Sequence, residues 1–182
     1  MREEAEKLLR QAQEAEREAR LRVALLGGWL LVLWGGLWAA GSLLLALDPG
    51  LGGRFWLLAG PLGTLLSFHL GLRQAGRVRS EAGRKTFALW GLLVLFGLLH
   101  WLPLLPPLDL RGESFLISLV AFGYAYTGVL WRLGEFVWGG LGLFALDLLL
   151  FRLFPGLFHE GMALLGLLAL VLGGVWTRRW TR

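Results

Sequence analysis

Six apolar stretches, each close to 20 residues long, restrict the folds open to this chain more than any other feature. They run approximately over Val23–Leu47, Phe55–Leu72, Thr86–Leu105, Ser114–Trp131, Phe136–Phe154 and Gly161–Thr177. A helix rises about 1.5 Å per residue, so runs of this length match a hydrocarbon core of roughly 30 Å. The soluble alternative is a large buried bundle. It fails because 182 residues, 56% of them hydrophobic, do not supply the polar surface needed to cover six such helices.

The expectation is therefore an all-α membrane protein. It has six transmembrane helices arranged as three hairpins, preceded by an N-terminal cytoplasmic amphipathic helix. Residues 1–22 form the charged helix, 23–177 the six-helix domain and 178–182 a basic tail. Each hairpin is closed by a polar or proline-bearing turn: Asp48-Pro-Gly-Leu-Gly-Gly53, Pro106-Pro107 with Asp109-Leu-Arg-Gly-Glu113, and Pro155-Gly156.

Charge placement orients these spans. Six spans put both termini on one side. The Lys and Arg residues on that side number 15: those of residues 1–22 and 73–85, Arg132, and the three arginines at the C-terminus. The other side holds Arg54, Arg111 and Arg152, which is 3. The positive-inside rule then places both termini in the cytoplasm. The net charge of +5 is accounted for by this topology and by attraction to anionic lipid, so no nucleic-acid partner is expected. Arg outnumbers Lys 16 to 2 and there is no Asn, a bias that fits a GC-rich bacterial genome and an inner-membrane location. The first 22 residues lack the apolar core of a secretory signal, so the first span is expected to serve as its own insertion signal.

Within residues 2–22, Glu3–Lys7, Glu6–Arg10 and Glu16–Arg20 are i,i+4 pairs with the acid first, the favourable order. Ala5, Leu8, Ala12, Ala15 and Ala19 are spaced 3-4-3-4, a short heptad seam. Such a seam is either the solvated continuation of span 1 or a docking surface for a partner or a second copy. No helix breaker separates it from span 1.

The odd-numbered spans share an opening: Trp34-Gly-Gly-Leu37, Trp90-Gly-Leu-Leu93 and Trp138-Gly-Gly-Leu141. A proline follows each, at Pro49, Pro106 and Pro155, which suggests a hairpin repeat. Gly pairs at 27-28, 35-36, 139-140 and 173-174 offer flat faces for close helix packing. Trp29, Trp90, Trp131, Trp138, Trp176 and Trp180 read as an inner aromatic belt, and Trp56 and Trp101 as an outer one.

Chemistry-bearing motifs are few. The absence of cysteine excludes disulfides, thiolate metal sites and cysteine nucleophiles. There is no HExxH, P-loop or GxSxG, so neither a cofactor nor an enzymatic activity is expected. What remains is polar groups at lipid depth. Asp147 lies about 18 Å above the inner end of its span, and His100 about 22 Å above its own. Tyr124 falls near mid-membrane. A carboxylate at such a depth costs roughly 2.5–3.5 kcal/mol and needs a partner. Asp147 is expected to pair across helices, with His100 first and Tyr124 second. His159 and Glu160 read as a cap on span 6 or as an outer-face site. A metal-dependent enzyme would need His100, His159 and Glu160 within ligand distance, and their spacing gives that no support. His69, on one helix with Thr64 and Ser67, reads as a packed histidine.

The 2–22 helix, Trp34-Gly-Gly-Leu-Trp38, and Met162–Gly174 followed by Arg178-Arg179 together give a recognisable layout. It resembles an uncharacterised group of small six-span bacterial inner-membrane proteins with a charged N-terminal helix, a group that looks to be encoded beside small transcription regulators. The resemblance covers the whole chain as a pattern and transfers no site residue. Two functions are then expected to compete. One is a non-enzymatic accessory, scaffold or sensor subunit acting through residues 2–22. The other is a small ion, proton or solute transporter or channel using Asp147 and His100.

Overall fold

The structure, a computed structural model, describes residues 2–75, 81–104 and 110–180. Its helices are α1 (Arg2–Leu47), α2 (Pro49–Ala75), α3 (Glu81–Leu104), α4 (Leu110–Trp131), α5 (Gly134–Leu153) and α6 (Phe158–Trp180), with one 3-10 turn at Pro155–Leu157 before α6. Five helices, α1, α2, α4, α5 and α6, are long and apolar enough to cross a membrane among the described residues. The chain is an all-α membrane protein. The expected third span, Thr86–Leu105, runs to the edge of the described residues. The turn at 106–109 lies outside them, as do residues 76–80 of the basic loop.

Several turns are tighter than the sequence suggests. Residues 49–53, expected as a loop, are the first turns of α2. The side chain of Asp48 explains this: its Oδ1 accepts from the backbone N–H of Gly50 at 2.7 Å and of Leu51 at 3.2 Å. That caps the helix, and Pro49 at the first helical position needs no donor partner. Between α4 and α5 only Arg132 and Leu133 intervene. Arg132 takes the left-handed conformation (φ 53°), which reverses the chain at once. The expected continuity of the N-terminal helix with span 1 is observed: α1 is one helix of 46 residues.

The most extensive interfaces are α1 with α6 and α4 with α5, followed by α1 with α2. The two strongest pairings therefore join helices from different expected hairpins, while α5 barely touches α6. Small residues explain both main interfaces. In α1 against α6, a Cβ added to Gly35 would sit 2.5 Å from the backbone N of Leu170, and one added to Gly166 would sit 2.5 Å from that of Ala39. Gly28 faces Thr177 and Gly173 faces Val32 in the same antiparallel register. In α4 against α5, a Cβ on Gly140 would lie 2.5 Å from the carbonyl oxygen of Ala121, and one on Gly128 would lie 2.6 Å from the backbone N of Val137. Both pairs thus bring backbone onto backbone, as apolar solvent demands when packing must do the work of association.

The two pairs meet at both ends. At one end Phe136 packs with Ala24, Trp131 and Leu133, and Tyr124 and Trp176 lie against them. At the other, Ile117, Phe158 and Met162 form a buried cluster with Trp38, Leu143, Leu150 and Phe151 around it. The flanking helices are attached by a common clasp. Trp34 and Leu37 of α1 lie over Gly63 of α2, and the Trp34 indole N–H donates to Ser67 Oγ at 2.9 Å. Trp90 and Leu93 of α3 lie over Gly123 of α4, and Trp90 donates to Thr127 Oγ1 at 3.1 Å. The third matching sequence does not follow: Trp138 is 74% exposed. Trp131 and Trp176 also turn inward, donating to Thr86 Oγ1 and to the Ala24 carbonyl. Of the expected inner belt, Trp29 and Trp138 face outward, whereas Trp90, Trp131 and Trp176 are internal bridges.

Gly35→Ala is expected to push α1 from α6 and cost about 1–3 kcal/mol. Gly139→Ala meets nothing within 4 Å, so it should be neutral or stabilising by up to about 1 kcal/mol. Thermal unfolding of the two variants in detergent micelles measures the contrast.

Candidate functional site

The α4–α5 seam sets the position of the deep carboxylate. Along α4, Ser114, Ala121 and Gly128 recur every seven residues. Leu133, just before α5, and Gly140 and Asp147 within it do the same. The turn at Arg132-Leu133 fixes the antiparallel register, so Gly128 meets Leu133, Ala121 meets Gly140, and Ser114 meets Asp147. A heptad repeat keeps one face toward a partner helix. Small residues at its first two levels bring the backbones into contact, and the third level then encloses a polar pair.

Asp147 is 0% exposed. Its Oδ2 accepts a hydrogen bond from Ser114 Oγ at 2.8 Å and a longer one from Ser118 Oγ at 3.4 Å. Ser114 and Ser118 are one turn apart and so share a face of α4. Leu143 and Leu150 flank Asp147 on its own helix and pack against the Ile117–Phe158–Met162 cluster, which seals the site. Oδ1 of the carboxylate is buried without a hydrogen-bond partner among the described residues.

The serines stand where other partners were expected. Tyr124 is not beside Asp147. Its ring lies edge-on to Trp90 at 5.7 Å and to Phe136 at 5.9 Å, in the aromatic cluster near the α4–α5 turn. The depth argument placed Tyr124 only to within a few turns, and aromatic packing decided the rest. The side chain of His100 lies outside the described residues. Arg152 is exposed, as its angular offset from Asp147 on the helix predicts. The serines carried a readable signal, the spacing of Ser114, Ala121 and Gly128, but only knowledge of which helix faces α5 gives that spacing meaning.

At the α4 end nearest this site, His159 Nδ1 stands 3.4 Å from Glu113 Oε2, an ion-pair distance when the imidazole is protonated. Glu113 is buried at 8% exposure, while Glu160 is exposed. The expected His159–Glu160 site is therefore divided: His159 turns inward to α4, and Glu160 faces out. Among the described residues no group of three His, Cys, Asp or Glu side chains is placed to hold a metal ion. His69 is on the exposed face of α2 and is not packed, because its neighbour Ser67 takes the inward position beneath Trp34.

The docking seam divides as well. Ala5, Leu8, Ala12 and Ala15 are exposed, and Leu8 is 63% exposed. Ala19 is partly buried against the Phe136 cluster. Residues 4–18 are exposed on every side, a charged rod of roughly 22 Å carrying the ion pairs Glu16–Arg20 and Glu18–Arg22 at its base. Comparison with family models, with curated proteins and with solved structures found no match.

Ser114→Ala removes the shorter bond to a buried carboxylate and is expected to destabilise the protein by about 1–3 kcal/mol. Ser118→Ala should cost less, since its bond is the longer. Denaturation midpoints of the two variants give the ranking.

Proposed function

We propose that this chain is a non-enzymatic integral membrane protein acting as an accessory, scaffold or sensor subunit, with its N-terminal helix as the contact to a protein partner or to a second copy. The observation that carries the reading is the form of α1. It is a single helix whose C-terminal half is built into the bundle against α6 and α2, while residues 4–18 stand clear of it. Continuity matters mechanically. No glycine or proline interrupts the chain across residues 2–26. A partner bound at Leu8 or Ala12 is thereby coupled without a hinge to the packed segment. Ala5, Leu8, Ala12 and Ala15 form the docking face in this reading, and Ala19 belongs to the bundle.

The membrane placement that accompanies it has six spans, a bacterial inner membrane and cytoplasmic termini. Its support is the arrangement of charge. The base of the N-terminal rod, Arg132, and Arg178-Arg179 lie at one end of the bundle, because Phe136 packs against both Gly27 and Trp176. Lys85 joins them through the Trp131–Thr86 hydrogen bond. The rival reading is a transporter or channel using Asp147 and His100. It ranks second because Asp147 is wholly enclosed, so transport requires another conformation that opens the α4–α5 seam.

Deletion of residues 2–18 should change the thermal stability of the remaining bundle by no more than about 1 kcal/mol, since residues 4–18 are exposed and the cut breaks surface ion pairs such as Glu16–Arg20. It should abolish self-association measured by light scattering, or binding of a co-purifying subunit. If both survive the deletion, the N-terminal reading is wrong. Orientation is tested separately. The chain has no cysteine, so single cysteines at Gln11 and Arg111 can be labelled with an impermeant maleimide. Intact cells should label position 111 and not position 11.

A further inference from the structure

A carboxylate enclosed between two helices needs its charge balanced, and the described side chains supply only hydroxyls. Asp147 makes no ion pair with a described cationic side chain: Arg152 on the same helix is exposed, and His159 faces Glu113. Ser114 and Ser118 both reach Oδ2, leaving Oδ1 buried and unpartnered among the described residues. A serine hydroxyl has two lone pairs besides its proton, so each can turn to present oxygen to a cation. Three oxygen-bearing side chains from two helices thus converge, Asp147 and Ser114 buried and Ser118 partly so.

The composition of the site selects the ligand. Oxygen-only donors suit hard cations and not zinc or copper, which favour nitrogen and sulfur. The site carries one formal negative charge. Glu113, next to Ser114 in sequence, is engaged toward His159, so no second carboxylate is on hand among the described residues to balance a divalent ion. The backbones touch two helical turns away at Gly140 and Ala121, which keeps the seam narrow and favours a small ion.

We propose that Asp147, Ser114 and Ser118 form a sodium-ion site between α4 and α5, with the carboxylate Oδ1 and the two hydroxyl oxygens as ligands. The ion neutralises the buried carboxylate and ties the two helices together at the end of their seam farthest from the Arg132 turn. Binding does not require transport and is independent of the N-terminal docking role. An ionisable group at this depth is otherwise costly to retain.

The test uses the full-length protein in detergent micelles, exchanged into sodium-free choline buffer. Sodium chloride is titrated by calorimetry, and thermal unfolding is followed at constant ionic strength. Sodium should bind with saturable heat. At ten times its dissociation constant it should lower the unfolding equilibrium constant about tenfold, and potassium and choline should do neither. Asp147→Asn should abolish the heat. Ser118→Ala, which keeps the shorter Ser114 bond, should stay folded and bind sodium several-fold more weakly, so the test stands even if the Asp147 variant does not fold. Three results would overturn the proposal. The first is wild-type protein indifferent to sodium but stabilised by acid, which makes the occupant a proton. The second is indifference to sodium with His100→Ala as destabilising as Asp147→Asn, which makes His100 the partner. The third is sodium binding unchanged in both Ser114→Ala and Ser118→Ala, which places the ion elsewhere.

Discussion

Everything in this bundle depends on how closely two helix backbones can approach. In lipid, burying a leucine between helices gains little over leaving it against acyl chains, so association rests on van der Waals contact and interhelical hydrogen bonds. The chain meets this constraint twice with the same device. Gly28 and Gly35 of α1 oppose Thr177, Gly173, Gly166 and Leu170 of α6, and Ala121 and Gly128 of α4 oppose Gly140 and Leu133 at the start of α5. Each seam is antiparallel and places main-chain atoms where side chains usually stand. The remaining helices are attached less intimately, by a tryptophan and a leucine laid across a glycine, with the indole N–H on a hydroxyl one turn farther on.

The buried carboxylate follows from the seam. Asp147 is enclosed because Gly140, two turns before it, lets α5 lie on α4, and because Ser114 sits two turns before Ala121 on the opposing helix. Two hydrogen bonds to a charged group are worth a few kcal/mol together, the same order as the insertion cost of the carboxylate. Both bonds fall on one oxygen, however, so the other is not compensated by any described side chain. The polar pair and the apolar plug of Ile117, Phe158 and Met162 lie side by side, and Asp147 is the least exposed of the buried polar side chains described.

Much of the architecture was legible from residue patterns. Apolar run length predicted the helices, and the unbroken 2–26 segment predicted the continuous α1. Charge counting put the basic residues on one side, and among the described residues the base of the rod and the end of α6 do meet beside Phe136. The repeated Trp-x-x-Leu motif pointed to a common helix contact, realised at Trp34 and Trp90 but not at Trp138. Depth matching named His100 and Tyr124 as partners of Asp147; the side chain of His100 lies outside the described residues, and Asp147 stands level with Ser114, well along α4 from Tyr124. Tyr124 went to Trp90 and Phe136, and two serines of ordinary appearance took the carboxylate. His69 turned outward because a position along a helix does not say which way the helix faces.

The sequence by itself determined that this chain is a set of long apolar helices with a charged N-terminal rod and an acid, Asp147, inside an apolar run. Run length, charge placement and helix rise act along a single helix and need no neighbour to be read. Only the tertiary structure decided that α1 pairs with α6 and α4 with α5, and that Asp147 meets Ser114 and Ser118. Those outcomes depend on the rotation and register of two helices together, and close backbone contact at a few glycines and alanines sets both.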